Sequence, residues 1–99
     1  MTYTVRVPHT FNWDPAKDRS NQRKHNVSFA EATTVFADTL SLTIPDPLHS
    51  ELEERFVLVG HSYRGRLLVV VHTANEESIR IISAREATAR EREDYEEKG

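Results

Sequence analysis

The sequence predicts an α+β fold in which helices from both ends of the chain pack on a small sheet. Short polar connections, typical of neighbouring antiparallel strands, separate three apolar runs rich in Val, Ile and Leu: Phe56–Val59, Leu67–Val71 and Ile79–Ile82. Helix-start signals lie on both sides of this stretch. We therefore expect two N-terminal helices on a four-stranded, mainly antiparallel sheet, followed by a C-terminal helix.

The first helix has clear signals at both ends. Asp14 suits the N-cap, Pro15 suits the first helical position, and Asn26 suits a left-handed residue after His25. The interior has almost no apolar stripe, so tertiary packing must hold the helix in place. We expect docking through Trp13, Ala16 and Ser20, with a common exposed face formed by Lys17, Asn21 and Lys24.

The second and last helices each begin with a capping box, in which a Ser and a Glu three residues apart satisfy each other's backbone amides. The first box, Ser28–Glu31, opens a helix to about Phe36 with a proper apolar face. The second, Ser83–Glu86, opens a helix to about Tyr95. Between the first two helices and the three apolar runs, alternating Leu40, Leu42 and Ile44 predict the first sheet strand.

Length and composition favour one domain over residues 1–99, with residues 1–10 as a loose arm or edge strand. At 99 residues the chain is too short for two hydrophobic cores. Its 37% apolar share predicts a thin core, and part of its stability must then come from contact with a partner chain. There is no cysteine, hence no disulfide or thiolate site. The sequence shows neither an apolar stretch long enough to span a membrane nor a signal-peptide pattern, so we expect a cytoplasmic protein without membrane contact.

The charge is strongly polarised although the net charge is only −3. Residues 16–25 carry four cations against one acid, and residues 55–85 carry five against two. Residues 86–99 carry six acids against three bases. Because a polyanion responds to the local field more than to the total, this distribution is compatible with nucleic-acid binding.

The faces of the predicted sheet depend on hairpin register. If Gly60 faces Leu67 and His72 faces Ile79, then Arg55 lies across from His72, and Arg80 points to the opposite face. A slip of one residue in either hairpin would exchange these faces.

Two groups of residues could carry chemistry. Lys24 and His25 end the first helix, where the backbone dipoles favour a protonated imidazole suited to an acid or a phosphate contact. The second group has the arginines to hold phosphate and a carboxylate and an imidazole as proton acceptors: Glu54, Arg55, His72, Arg80 and Arg85. The alternatives are a solvated helix end and structural ion pairs.

Together these parts suit RNA cleavage without a metal. A base would take the proton of a ribose 2′-hydroxyl, the resulting oxygen would attack phosphorus, and arginines would hold the developing charge. An acid would then protonate the departing 5′-oxygen. Glu54, His25 and His72 are the candidates for that base. The five histidines show no metal-ligand spacing, so we expect neither a metal nor a cofactor.

The segments WDPAK, KHNVSF, EERF, GRLLVVVHT and RIISAR, spread over Phe11–Tyr95, closely resemble the BrnT family of toxins from type II toxin–antitoxin systems. The resemblance implies a RelE-like fold, an endoribonuclease activity that arrests growth, and a BrnA-like ribbon-helix-helix antitoxin. It further implies a heterotetramer that represses its own operon, with operator DNA bound only through the antitoxin.

The resemblance also implies Lys24, His25, Arg55, Arg80 and Arg85 as site residues, and the chemistry of the residues themselves adds the others. The catalytic candidates are Lys24, His25, Glu54, Arg55, Arg80 and Arg85, and the RNA-binding candidates are Lys17, Arg23, Arg66 and His72. This chain departs from many relatives at Ala74 and Asn75, where they carry an acidic and a basic residue. An alternative function is therefore a weakly active or inactive scaffold or co-repressor for the antitoxin, and another is a structural domain with ion-paired arginines.

Overall fold

A computed structural model describes residues 10–46, 54–75 and 77–98. In chain order the elements are β1 (Thr10–Asn12), α1 (Pro15–His25), α2 (Phe29–Thr34), a 3₁₀ turn (Val35–Ala37), β2 (Leu42–Pro45), β3 (Arg55–His61), β4 (Leu67–Ala74), β5 (Ser78–Glu86) and α3 (Ala89–Lys98). Residues 1–9 of the predicted arm, which was placed at residues 1–10, lie outside the described residues, as do residues 47–53 before β3.

The strands form one mixed sheet in the order β1-β5-β4-β3-β2. The α+β class is confirmed, but the four-stranded prediction omitted β1. This strand has only three residues, and it pairs in parallel with β5, Phe11 lying beside Ile79. A short strand whose partner lies so far along the chain leaves little local signal, whereas the antiparallel meander of β3, β4 and β5 follows from its sequence.

The ends of α1 are as predicted. The Asp14 carboxylate accepts a hydrogen bond from the Ala16 amide at 2.8 Å, and Asn26 adopts φ 57° in the left-handed region. The predicted docking of α1 was partly wrong. Trp13 packs against the core and Lys17 and Lys24 are exposed, as predicted, but Asn21 is buried and Ala16 is exposed. Asn21 donates to the carbonyls of Val27 at 2.8 Å and Ala84 at 2.7 Å, so a buried amide attaches this polar helix to β5.

The core lies between the sheet and α2, on the side we call the helical face. As predicted, the Ser28 hydroxyl caps α2 by accepting from the Glu31 amide at 3.0 Å. Aliphatic residues of β3, β4 and β5 meet fully buried residues of α2 and its neighbours, among them Val27, Phe29, Ala32 and Val35. The half-buried aromatic rings of Phe11 and Trp13 pack against this core.

The predicted hairpin register was wrong by one residue between β3 and β4. Gly60 pairs with Leu68 rather than Leu67, so Arg55 lies opposite Thr73 and Phe56 lies opposite His72. Between β4 and β5 a bulge next to His72 places this residue opposite Ile81. The consequence is that Arg55 moves away from the face of His72 and shares the face of Arg80.

The predicted start of the last helix was also wrong. Residues 83–86 continue β5, and α3 begins at Ala89 after a different capping box. The Thr88 hydroxyl accepts from the Glu91 amide at 3.1 Å, and the Glu91 carboxylate accepts from the Thr88 amide at 2.9 Å. Ser83 and Glu86 also have the three-residue spacing of a capping box. They pair with β4 as part of β5 instead, so no helix begins there.

Helix α3 lies beside the opposite side of the sheet, which we call the far face, where Val57, Val59 and Val69 point. Tyr95 is its buried anchor, donating from its hydroxyl to the Leu40 carbonyl at 3.1 Å. Among the described helices, none combines the length and apolar character needed to cross a membrane.

Candidate nucleic-acid interface

A row of polar residues crosses four strands on the far face. Asn12 of β1 pairs with Arg80 of β5, Arg80 pairs with Thr73 of β4, and Thr73 pairs with Arg55 of β3. Directly paired residues of adjacent strands project on the same side of a sheet, so these four side chains are neighbours. We call them the Arg55–Arg80 row.

The row borders an open pocket of about 300 Å³. Its lining combines a guanidinium with a carboxylate and several small polar groups: Asn12, Glu54, Thr73, Ala74, Asn75, Ser78 and Arg80. The Arg80 guanidinium donates to the Asn12 side-chain oxygen at 3.3 Å. Within the described ranges, Arg80 and Arg55 form no ion pair with an acid, so both keep donors available to an anionic ligand.

A second pocket, of about 210 Å³, lies between α1 and β5. It brings together the exposed side chains of Lys17, Lys24 and His25 with Ile82 and Ser83 of the strand. Along β5, Ile82 follows Arg80 by two residues, which corresponds to roughly 7 Å at the rise of an extended strand. The two pockets therefore adjoin the same strand but are separate cationic sites.

Arg85, a predicted catalytic residue, is held by α3. Its two terminal nitrogens donate to the two carboxylate oxygens of Glu91 at 2.7 and 2.9 Å. The Arg85 guanidinium lowers the pKa of Glu91 to about 2, and hydrogen bonds from Thr88 act in the same direction. This bidentate pair joins the end of β5 to the first turn of α3, a structural position.

Arg66, predicted to bind RNA, is also engaged within the protein. Its guanidinium pairs with the buried carboxylate of Glu31, and it donates to the Asn26 carbonyl at 3.0 Å. Glu31 also accepts from the Ser62 hydroxyl at 2.7 Å, and these contacts, with that of Arg66 first, lower its pKa. The arrangement ties the turn between β3 and β4 to α2, so this arginine does not form part of the open cationic surface.

The structure places His72, also a predicted RNA contact and candidate base, inside the protein. The side chain is only 4% exposed and lies between the rings of Phe36 and Phe56, with centroids 4.8 and 5.7 Å away. Burial lowers the pKa of the imidazole because desolvation penalises its charged form. This position is incompatible with the predicted contact, since the ring points to the helical face and not to either pocket.

Of the remaining predicted residues, Arg23 is exposed on α1 but does not line the Lys24 pocket. The prediction missed Asn12, Thr73 and Ser78 in the first pocket. Strand alternation supplies a signal for Thr73, because the correct register puts it between two arginines. No comparable local signal marks Asn12, whose place depends on the parallel pairing of β1.

Among residues within the described ranges, no group of three or more His, Cys, Asp or Glu side chains could hold a metal ion.

The fold and the interface together define a small α+β protein with a cationic row on one sheet face. The family model of the ribonuclease toxin BrnT of type II toxin–antitoxin systems matches residues 13–91. The chain belongs to this family, whose members are toxins paired with a protein antitoxin.

A solved structure agrees at the level of the fold. The crystal structure of the Brucella abortus ribonuclease toxin BrnT superposes with a TM-score of 0.56 and 22% sequence identity, covering 77% of this chain and 92% of that one. None of the curated protein sequences compared with this chain matches it.

Proposed function

We propose that this protein is an endoribonuclease that cleaves RNA without a metal ion, and that the pocket beside Arg80 is where cleavage occurs. The observation that carries the proposal is that the Arg80 guanidinium and the Glu54 carboxylate line one open pocket. Neither a nucleobase nor a phosphate needs to displace an internal acid to reach Arg80, since no acid of the described residues pairs with it.

In the proposed reaction Glu54 accepts the proton of a ribose 2′-hydroxyl. The 2′-oxygen attacks the adjacent phosphorus as the bond from phosphorus to the 5′-oxygen breaks, and Arg80 and Arg55 bind the phosphoryl oxygens as negative charge builds on them. The departing 5′-oxygen takes a proton from water in the open pocket. Exposed Glu54 is the better placed base, because His72 is buried and His25 lies in the other pocket. DNA is spared because it lacks the attacking hydroxyl.

The pocket beside Lys24 then holds the RNA strand outside the cleaved bond. Lys17, Lys24 and His25 face β5 close to the bulge, and β5 leads from there to Arg80. Successive phosphates of an extended RNA strand lie roughly as far apart as two residues of a β-strand. Two cationic sites along one strand thus suit two neighbouring parts of one RNA chain.

The test is cleavage of a defined single-stranded RNA in the presence of EDTA. We expect products with 2′,3′-cyclic phosphate ends, and no cleavage of DNA or of RNA methylated on its 2′-oxygens. Removing the base or the guanidinium, by Glu54→Gln or Arg80→Ala, should slow cleavage by roughly 10²–10⁴-fold.

Arg92→Ala is the matched control, because Arg92 is an equally charged, exposed residue on α3 and lines neither pocket. It should cleave at the unmodified rate. RNA that stays intact at high protein concentration would overturn the enzymatic proposal and leave the scaffold alternative.

In a cell this activity would take place in the cytoplasm and arrest growth. The proposed antitoxin is a BrnA-like protein with a ribbon-helix-helix domain, which would form a heterotetramer with the toxin and bind operator DNA itself. Expression of the toxin alone should stop growth, and expression of Arg80→Ala should not.

A further inference from the structure

An apolar groove lies on the far face beside the Arg55–Arg80 row. It has a volume of about 210 Å³, and aliphatic residues of three strands form its floor: Leu42, Ile44, Val57, Val59 and Val69. Ile44 is 54% exposed, and nearby Leu40 is 70% exposed. Full burial of such a large aliphatic side chain is favourable by about 1.5–3 kcal/mol. We call this the far-face groove.

The groove and the arginines belong to one continuous surface. Val57 and Arg55 are alternate residues of β3, so they project from the same face and lie roughly 7 Å apart along the strand. Helix α3 also lines the groove, with Asp94 and with Glu91, whose carboxylate is already paired with Arg85. The surface therefore combines an acidic border at Asp94, an aliphatic floor, and two arginines without acidic partners among the described residues.

The arrangement of charged and apolar residues on this surface favours one kind of ligand. RNA gains nothing from an aliphatic floor, and the acidic border repels it. A peptide segment with aliphatic side chains next to carboxylates can fill the floor and pair with Arg55 and Arg80 at once, and the border beside Asp94 disfavours the reversed orientation.

We infer that the far-face groove is the docking site for an aliphatic and acidic segment of the protein antitoxin, whose carboxylates cover Arg55 and Arg80. The antitoxin then inhibits by occupying the phosphate-binding groups themselves rather than by acting at a distance. This inference rests on the proposed function for the role of the arginines, whereas the docking itself depends only on the groove.

The experiment uses the full chain and, as probe, the protein encoded by the open reading frame adjoining its gene. Ile44→Asp places a carboxylate in the groove, and we expect about 30-fold weaker binding or more, with a matching loss of inhibition of RNA cleavage. Tyr63→Asp is the matched control, because Tyr63 is also a large exposed side chain, at 74%, but lies in the turn between β3 and β4. Its binding should equal that of the unmodified chain.

Hydrogen exchange on the unmodified complex checks the same surface without any substitution. Binding should slow exchange in β2 and β3. Protection confined to α1 and α2, equal binding by Ile44→Asp and the unmodified chain, self-association through the groove in place of heteromeric binding, or no binding of the adjoining protein would each overturn the docking proposal. Cleavage that persists in Arg80→Ala would instead overturn the proposed function, and the binding measurements would stand.

Discussion

His72 is a buried titratable residue that makes stability depend on pH. Its Nδ1 atom has no hydrogen-bond partner among the described residues, and burial lowers its pKa, which favours the neutral ring in the folded protein. The unfolded chain binds a proton near the ordinary histidine pKa of about 6.5, and the folded chain does so only at lower pH. The contribution of His72 to stability is therefore fully present above the ordinary histidine pKa, and it is lost as the solution is acidified below that pKa.

We expect the free energy of unfolding to fall by about 1 kcal/mol between roughly pH 7 and pH 5 through this residue. His72→Phe, which keeps an aromatic ring between Phe36 and Phe56, should remove most of that dependence. Urea denaturation at both pH values measures it, with exposed His25→Phe as control. An unchanged slope in His72→Phe would show that other groups cause the dependence.

Glu91 behaves in the opposite sense, as an acid whose folded pKa is depressed. Its pairing with Arg85 contributes stability above the ordinary glutamate pKa, and this contribution disappears as pH falls toward the folded value of about 2. Because both side chains are partly exposed, solvent screening limits the contribution to about 1 kcal/mol.

Glu91→Gln should therefore lower the free energy of unfolding by about 1 kcal/mol near neutral pH and have little effect at about pH 2. Thermal unfolding across this pH range measures the difference. Glu93→Gln, an exposed acid of the same helix, should change stability much less at either pH. A constant difference at all pH values would mean that packing, and not charge, explains the loss.

At the scale of elements, the buried side-chain amide of Asn21 attaches α1 to β5. Asn21 donates to the Ala84 carbonyl at 2.7 Å and accepts from the Ala84 amide at 3.2 Å, both buried. Asn21→Ala leaves these backbone groups without partners, and we expect a loss of about 2–4 kcal/mol in urea denaturation. Gln22→Ala, on the exposed side of the same helix, should stay within about 0.5 kcal/mol. Equal effects would indicate that α1 is held in another way.

The elements also show what local sequence can predict. Asp14, Pro15 and Asn26 act within one or two turns of helix, so the bounds of α1 followed from their chemistry. The end of β5 could not be predicted from local chemistry in this way, because Ser83–Glu86 and Thr88–Glu91 carry equivalent capping patterns. Only pairing with β4 decides between them, and pairing is a property of the folded sheet.

The candidate site was predictable in kind but not in arrangement. An excess of arginines near apolar strands indicated an anion site, and Arg80 with Glu54 indeed share a pocket. The observed register between β3 and β4 differs from the predicted one by one residue. Arg55 therefore pairs with Thr73 instead of His72, and the two side chains lie on opposite faces of the sheet. Hairpin connections leave such slips open, since the apolar runs have few polar positions to mark each face.

For the whole molecule, the separation of charge outweighs the net charge of −3. The Arg55–Arg80 row and the Lys24 pocket collect cations beside β5, whereas α3 carries most of the acids of the last segment. An RNA strand bound along β5 would displace counterions from its phosphates. Its affinity must then fall with salt, by a slope of about −0.7 for each phosphate contacted in a log–log plot.

Binding of an RNA methylated on its 2′-oxygens, which is not cleaved, isolates this term. Arg80→Ala should reduce the magnitude of the salt slope by about 0.7, and Lys24→Ala should do the same, because each removes one phosphate contact. Arg92→Ala removes the same charge from α3 and should leave the slope unchanged. If all three variants change the slope equally, the RNA responds to net charge alone; if only the first two do, its path follows the two pockets along β5.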